Sequence, residues 1–128
     1  MLYKDTEYHI KMHGQTYHCA LDITMDYIGG KWKTVVLWYL RNKTMRFGEI
    51  KKQIPDITEK MLSLQLKSLE EDGVIKREVF AEVPLRVEYS LTDFGKTLVP
   101  VVEAIAKWGR ALAENEGKLE EVKKVVKK

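Results

Sequence analysis

The stretch Ile57-Thr58-Glu59-Lys60-Met61-Leu62-Ser63-Leu64-Gln65-Leu66-Lys67-Ser68-Leu69-Glu70-Glu71-Asp72-Gly73 reads as one helix with both ends written into it. Pro55-Asp56 breaks the chain beforehand, Thr58 is a residue type that caps helix N-termini, and Ile57 and Leu62 occupy the N′ and N4 positions of a hydrophobic staple. Leu62, Leu66 and Leu69 form one apolar line, and Gly73 suits the left-handed position after a helix C-terminus. The opposite side carries Lys60, Ser63, Leu64 and Lys67, with the acidic triplet Glu70-Glu71-Asp72 at the far end. One face therefore belongs to a core, and the first two turns of the other are free to meet a partner.

Toward the N-terminus, Phe47, Ile50 and Ile54 recur at helical spacing up to Pro55 and predict a short helix just before this one. Met45-Arg46-Phe47 is short enough to pair as an edge strand. Trp32, Val35, Val36, Tyr39 and Leu40 predict a mostly buried helix that ends at Asn42-Lys43-Thr44, and Leu21, Met25 and Ile28 predict another that stops on Gly29-Gly30. Residues 1–18 mix polar groups, two tyrosine-histidine pairs and Gly14 without a sustained period, which predicts an irregular or partly ordered arm.

Toward the C-terminus the period changes. Ile75, Arg77 and Val79 alternate with charged neighbours, as do Val87, Tyr89 and Leu91, predicting two antiparallel strands. Between them Ala81-Glu82-Val83-Pro84-Leu85-Arg86 is too long for a two-residue turn and should project as a wing. Thr92 is expected to cap a last helix in which Leu98, Val101, Ile105, Trp108 and Leu112 keep a seven-residue repeat that returns at Leu119, Val122 and Val126. Pro100 should bend that helix near its start, and Gly117 should cost it about 1 kcal/mol against alanine. So narrow a seam predicts a helix partner. Lys123, Lys124, Lys127 and Lys128 complement a C-terminal helix dipole and are assigned no site. The expected divisions are an arm (1–18), a domain that includes the dimerisation helix (19–113) and a charged helical tail (114–128).

The element order defines an α+β, mostly helical fold: a winged helix-turn-helix with a two- to three-stranded antiparallel wing sheet and terminal dimerisation helices. Such a unit places one helix in a DNA major groove, so double-stranded DNA is the expected partner. Lys60 and Lys67 are placed to neutralise phosphates or reach guanine edges, Ser63 and Gln65 to bond base edges, and Leu64 to pack on a thymine methyl, with Thr58 at the helix start. Arg86 on the wing is placed either for a minor groove or phosphate, or for an ion pair with Glu82 or Glu88. Lys31 and Lys33 flank Trp32 at a helix start, and Lys51 and Lys52 lie on the short third helix; phosphate contact and an ordinary solvated face both account for them.

Composition narrows the function classes. A chain of 128 residues, 45% of them apolar, supplies one core but not a second domain, and a net charge of +3 permits a polyanionic partner without requiring one. No apolar run approaches the roughly 18 to 20 residues that span a bilayer, and Met1-Leu2-Tyr3-Lys4-Asp5 has no signal-peptide character, so a cytoplasmic protein without a membrane partner is expected. The single cysteine, Cys19, cannot form an internal disulfide; it is either a reactive thiol, helped toward thiolate by a protonated His18, or a buried inert one. His13, His18 and Cys19 lack metal-ligand spacing, so no metal is expected, nor any cofactor. Without a phosphate-binding glycine loop, nucleophile elbow or paired acid/base motif, the chain reads as no enzyme. The competing reading is a winged helix used as a protein-interaction module, which would call for a larger apolar patch than Leu64 alone. Trp32, Trp38 and Trp108 are candidates either for the core or for a crevice that holds a small-molecule effector in a dimer.

Over about residues 19–110 the chain resembles the HxlR-type regulators, a MarR-like group of winged helix-turn-helix proteins. The resemblance rests on Cys19 ahead of Ile28-Gly29-Gly30-Lys31-Trp32-Lys33, on Arg46-Phe47-Gly48-Glu49-Ile50, and on Ile57-Thr58-Glu59-Lys60-Met61-Leu62 leading to Leu69-Glu70-Glu71-Asp72-Gly73. Glu82-Val83-Pro84-Leu85-Arg86-Val87-Glu88-Tyr89-Ser90-Leu91-Thr92, Gly95 and Trp108-Gly109 extend it. It implies homodimers, joined through the terminal helices Leu98 to Leu112, that regulate transcription from inverted-repeat operators. It also implies an oxidant or electrophile effector acting through Cys19, because some members sense these at that position. Two residues depart from the pattern: Ala20 where proline usually follows the cysteine, and Leu64 where a polar residue is usual.

Overall fold

In the computed structural model, which describes residues 1–122, the helix expected after Thr58 runs Glu59–Glu71 (α4). Thr58 is its N-cap: the side-chain oxygen accepts the Met61 N–H at 3.0 Å. Ile57 and Leu62 are both buried, as a staple requires, and Leu66 and Leu69 continue the buried line. The C-terminus closes as a Schellman motif, with Gly73 N–H donating to the Glu70 carbonyl at 3.0 Å and Val74 N–H to the Leu69 carbonyl at 2.9 Å. Gly73 takes φ +74° to make that turn.

Three helices precede α4: Ala20–Ile28 (α1), Lys33–Leu40 (α2) and Phe47–Gln53 (α3). The core gathers Ile28, Val36, Leu37, Leu40, Ile50 and Ile54 from these helices and their ends around the leucines of α4. Trp32 and Trp38 pack against it, half-buried. After α4 come the two expected strands, Ile75–Phe80 (β5) and Arg86–Leu91 (β6), antiparallel with Ile75 opposite Leu91 and Phe80 opposite Arg86. Met45 joins them by one reciprocal pair of backbone hydrogen bonds with Tyr89, at 2.8 and 2.9 Å, so the edge strand expected at Met45-Arg46-Phe47 shrinks to one residue. Phe47 already belongs to α3.

Three expectations are corrected. Residues 1–18 are not irregular: they form two small antiparallel hairpins, Leu2–Tyr3 (β1) with Thr6–Glu7 (β2), and Ile10–Met12 (β3) with Gln15–Tyr17 (β4). Their turns use Lys4, Asp5, His13 and Gly14 at positive φ, and strands of two or three residues are too short to show a period of two. The second hairpin is tied to α1 through Tyr17, whose hydroxyl donates to the Asp26 carboxylate; that bond raises the Tyr17 pKa above its ordinary value and keeps the donor protonated.

The single C-terminal helix divides in two. Thr92 caps a short helix, Asp93–Lys96 (α5), and a separate helix spans Val99–Asn115 (α6) with Leu98 as its N-cap. Pro100 stands in the first turn of α6, where no intrahelical partner awaits its missing N–H, so it starts this helix rather than bending a longer one. The helical tail expected over 114–128 is also corrected. Gly117, at φ +65°, donates to the Glu114 carbonyl and Lys118 N–H to the Ala113 carbonyl, a second Schellman motif, and residues 118–122 form no helix. Leu119 and Val122 therefore leave the seven-residue repeat; Val126, Lys123, Lys124, Lys127 and Lys128 lie outside the described residues.

The junction at the base of the sheet fixes how α4 meets the strands and α5. The Thr92 hydroxyl donates to the Gly73 carbonyl at 2.5 Å and accepts the Gly95 N–H at 2.9 Å, while Thr92 N–H reaches the Val74 carbonyl at 3.1 Å. A Cβ on Gly95 would stand 1.9 Å from that Val74 oxygen, whereas one on Gly48, in α3, would meet nothing. Gly95→Ala should therefore destabilise the fold by about 3 kcal/mol by overpacking a backbone atom. Gly48→Ala should be neutral or stabilise by up to about 1 kcal/mol, and urea midpoints of the two variants against the parent check the pair.

Candidate nucleic-acid interface

Burying Leu62, Leu66 and Leu69 turns the other side of α4 outward. Lys60, Ser63, Leu64 and Lys67 are all exposed there, Leu64 at 52%, and they recur at the three- and four-residue steps of one helix face. The structure brings these four together. Gln65 is set apart: it is half-buried, and its side-chain amide donates to the Met61 sulfur at 3.2 Å. Thr58 spends its oxygen on the cap, so its part in the face is to fix where the helix begins.

The four flanking lysines differ. Lys52 is exposed in the last turn of α3, but Lys51 donates to the Pro55 carbonyl at 3.2 Å, which holds the turn between α3 and α4. Lys31 lies 4.7 Å over the Trp32 ring, and Lys33, the first residue of α2, is half-buried. Sequence reading passed over Arg77, which is exposed on β5 opposite Tyr89 and has no carboxylate in ion-pair reach among the described residues. Only its unpaired charge sets it apart, and the sequence does not show pairing.

Arg86 is not at the wing tip but opens β6, opposite Phe80. Of the two roles the sequence left open, the structure displays the ion pair. Its guanidinium lies 3.2 Å from Glu82 and 3.6 Å from Glu88, and sits 4.0 Å over the Phe80 ring. The register explains the demand: Glu78 stands directly opposite Glu88, and like charges so placed repel unless neutralised. Lys76 serves Glu78 at 3.1 Å and Arg86 serves Glu88. Arg86 is 29% exposed, so this contact is screened only in part.

The apolar seam lies on α6. Val102 faces the core and Leu98 packs beside it, so Leu98 leaves the outward line. Val101, Ile105, Trp108 and Leu112 are exposed, Trp108 at 69%, a large indole in water on the surface of a single chain. Cys19 is the half-buried N-cap of α1, with its sulfur 4.0 Å from that of Met1. His18 turns its Nδ1 to Asp22 at 2.9 Å, so a proton gained there is shared with a carboxylate rather than offered to the thiol. Among the described residues no group of three or more His, Cys, Asp or Glu side chains is arranged to hold a metal ion, and no helix is long and apolar enough to cross a membrane.

A helix with a buried leucine line and a polar cationic face, set by a tight turn behind α3 and followed by a two-stranded wing, defines a DNA-binding winged helix-turn-helix protein. The chain belongs to the HxlR-like helix-turn-helix family, whose model matches residues 27–117. It is a transcriptional regulator of helix-turn-helix type. It is 49% identical over 106 residues to the uncharacterized HTH-type transcriptional regulator YdeP of Bacillus subtilis (strain 168), covering 83% of each chain. The redox regulator HypR superposes in its reduced form with a TM-score of 0.73 at 42% identity, over 79% of this chain and 100% of that one. Its oxidized form gives 0.71 at 46%, over 73% and 96%. The reduced form of the transcriptional regulator YodB from B. subtilis gives 0.65 at 32% identity, over 76% and 96%. The relatives are regulators of transcription, not enzymes.

The ion-pair role of Arg86 has a measurable weight. Arg86→Ala leaves Glu78, Glu82 and Glu88 crowded on one sheet face and should destabilise the protein by about 1 to 2 kcal/mol. In urea denaturation at fixed salt, an unchanged midpoint would leave Arg86 with no structural role.

Proposed function

We propose that this regulator binds an inverted-repeat operator as a homodimer in the cytoplasm, with α4 in the major groove and α6 joining the protomers. The observation that carries the reading is the pair of unsatisfied faces: cations and a hydroxyl around Leu64 on α4, and Val101, Ile105, Trp108 and Leu112 on α6. The first suits phosphates and base edges, the second a copy of itself, since a two-fold axis sets each residue of a stripe against the same stripe. Two recognition helices in such a dimer stand about 34 Å apart, one turn of DNA. Lys60, Lys67 and Lys52, with Arg77 added, grip phosphates; Ser63 reads a base edge and Leu64 a thymine methyl. Lys31, Lys33 and Lys51 serve as weaker backbone contacts, and Arg86 and Gln65 join only by leaving their present partners.

The effector belongs to the same proposal. Cys19 is the thiol through which an oxidant or electrophile acts: it sits at the start of α1, half-buried against a thioether, and a relative of the same fold is described as a redox regulator. Oxidation to a sulfenic acid and on to a mixed disulfide would enlarge a side chain at a helix start, which offers a route to the DNA-binding elements.

Fluorescence anisotropy with duplex from upstream of the gene, against scrambled duplex at fixed salt, tests both parts. Selective binding is expected. Lys60→Ala and Lys67→Ala should each weaken it and flatten the slope of log K against log salt by about 0.9. Diamide should change binding by the parent and leave Cys19→Ser unmoved; equal responses remove the thiol switch. No preference for the upstream duplex removes the claim that the operator lies there.

Ile105→Asp should turn a dimer into a folded monomer and cost well over tenfold in operator affinity, because one half-site then binds alone. Sedimentation equilibrium at micromolar protein checks this; an unchanged mass would place the dimer contact elsewhere.

A further inference from the structure

The outer face of the wing sheet ends in a cleft that the DNA-binding reading does not use. It lies between the loop after α2, the base of β5 and β6, and α5, with a volume of about 330 Å³. Lys43, Lys76 and Lys96 stand around it, Asn42, Thr44 and Ser90 add neutral donors, and no carboxylate lines it. Arg41 also borders it, held in place: its Nη1 donates to the Trp38 carbonyl at 2.7 Å and its guanidinium lies 3.4 Å over the Trp38 ring. The counter-charges stand outside the lining. Glu78 touches Lys76 at 3.1 Å and Asp93 touches Lys96 at 3.8 Å, both exposed pairs of the kind that bind a lysine loosely. Lys43 has no ion-pair partner among the described residues. Four cations against two outlying carboxylates leave a surplus of two positive charges.

We propose that this cleft binds a small phosphate monoester. A dianion matches the surplus charge, and three acceptor oxygens suit lysine ammonium groups together with the Thr44 and Ser90 hydroxyls. Leu40 and Leu91 in the lining give a short carbon body somewhere to rest. The Lys76–Ser90 rung lies four residues from the Phe80–Arg86 rung, about 13 Å along the strands at roughly 3.3 Å per residue, so the site is set back from the wing turn. Lys76 links the two. An ammonium drawn to a phosphate leaves Glu78 facing Glu88 unneutralised, and both carboxylates then compete for Arg86.

Glycerol 3-phosphate at pH 8, with ionic strength held by sodium chloride, is the probe to titrate into the ¹⁵N-labelled protein. Saturable shifts centred on the amides of Lys43, Lys76, Ser90 and Lys96 are expected, and Lys43→Ala/Lys96→Ala, confirmed folded by its spectrum, should bind about tenfold or more weakly. Shifts that never saturate, or that centre on Lys60 and Lys67, overturn the proposal. The same double variant titrated with duplex DNA separates the two sources of phosphate. An unaltered salt slope keeps the cleft a small-molecule site, whereas a flattened slope shows that it grips the DNA backbone and overturns the proposal.

Discussion

The carbonyls of Gly73 and Val74 are the point through which the domain is assembled. Gly73 ends α4 in a left-handed turn, Val74 closes the Schellman motif onto Leu69, and Thr92, nineteen residues further along the chain from Gly73, returns to both oxygens before capping α5. One threonine and two glycines thereby join the end of the recognition helix, the first strand, the last strand and the helix that leads to α6. Backbone groups buried at such a crossing must be paired, so the pairing fixes the geometry. Gly95 belongs to the same constraint, because only the lack of a Cβ lets α5 approach the Val74 oxygen.

From this junction the functional surfaces follow as what is left over. The core takes one line of α4 and one line of α6, each from residues whose burial contributes about 1.5 to 3 kcal/mol. What the core does not take points outward: on α4 a cationic, hydroxyl-bearing face, on α6 an apolar one. The two kinds of surface demand different partners, one polyanionic and one apolar, and both suit a regulator of the HxlR-like family.

The wing sheet shows a different economy of charge. Its outer face sets Glu78 against Glu88 and resolves the repulsion with Lys76 on one side and Arg86 on the other, so the arginine most naturally read as a DNA contact is already employed in holding the strands. A cation used in this way is available to DNA only if the phosphate is a better partner than two carboxylates and an aromatic ring. Arg77, one residue along from Lys76, carries no such duty among the described residues.

The sequence by itself determined the local structure of the recognition helix, because its cap, staple, leucine line and closing glycine all lie within seventeen residues and act through neighbours along the chain. It determined the strands and the resemblance to a family in the same way, through alternation and short motifs. Where it misled, the cause was local ambiguity. Pro100 and Gly117 were read as flaws inside one long helix, yet the same residues serve as a start and a stop, and which role they take depends on whether α5 can turn away at Thr97-Leu98. The hairpins of residues 1–18 were invisible because strands of two and three residues carry no period, and the second is held by Tyr17 reaching Asp26 on α1. Tertiary structure alone decided which cations are free. Arg86, Lys51 and Gln65 are occupied by partners while Lys60 and Lys67 are exposed, since pairing depends on what the fold brings within about 4 Å, and residue type says nothing of that.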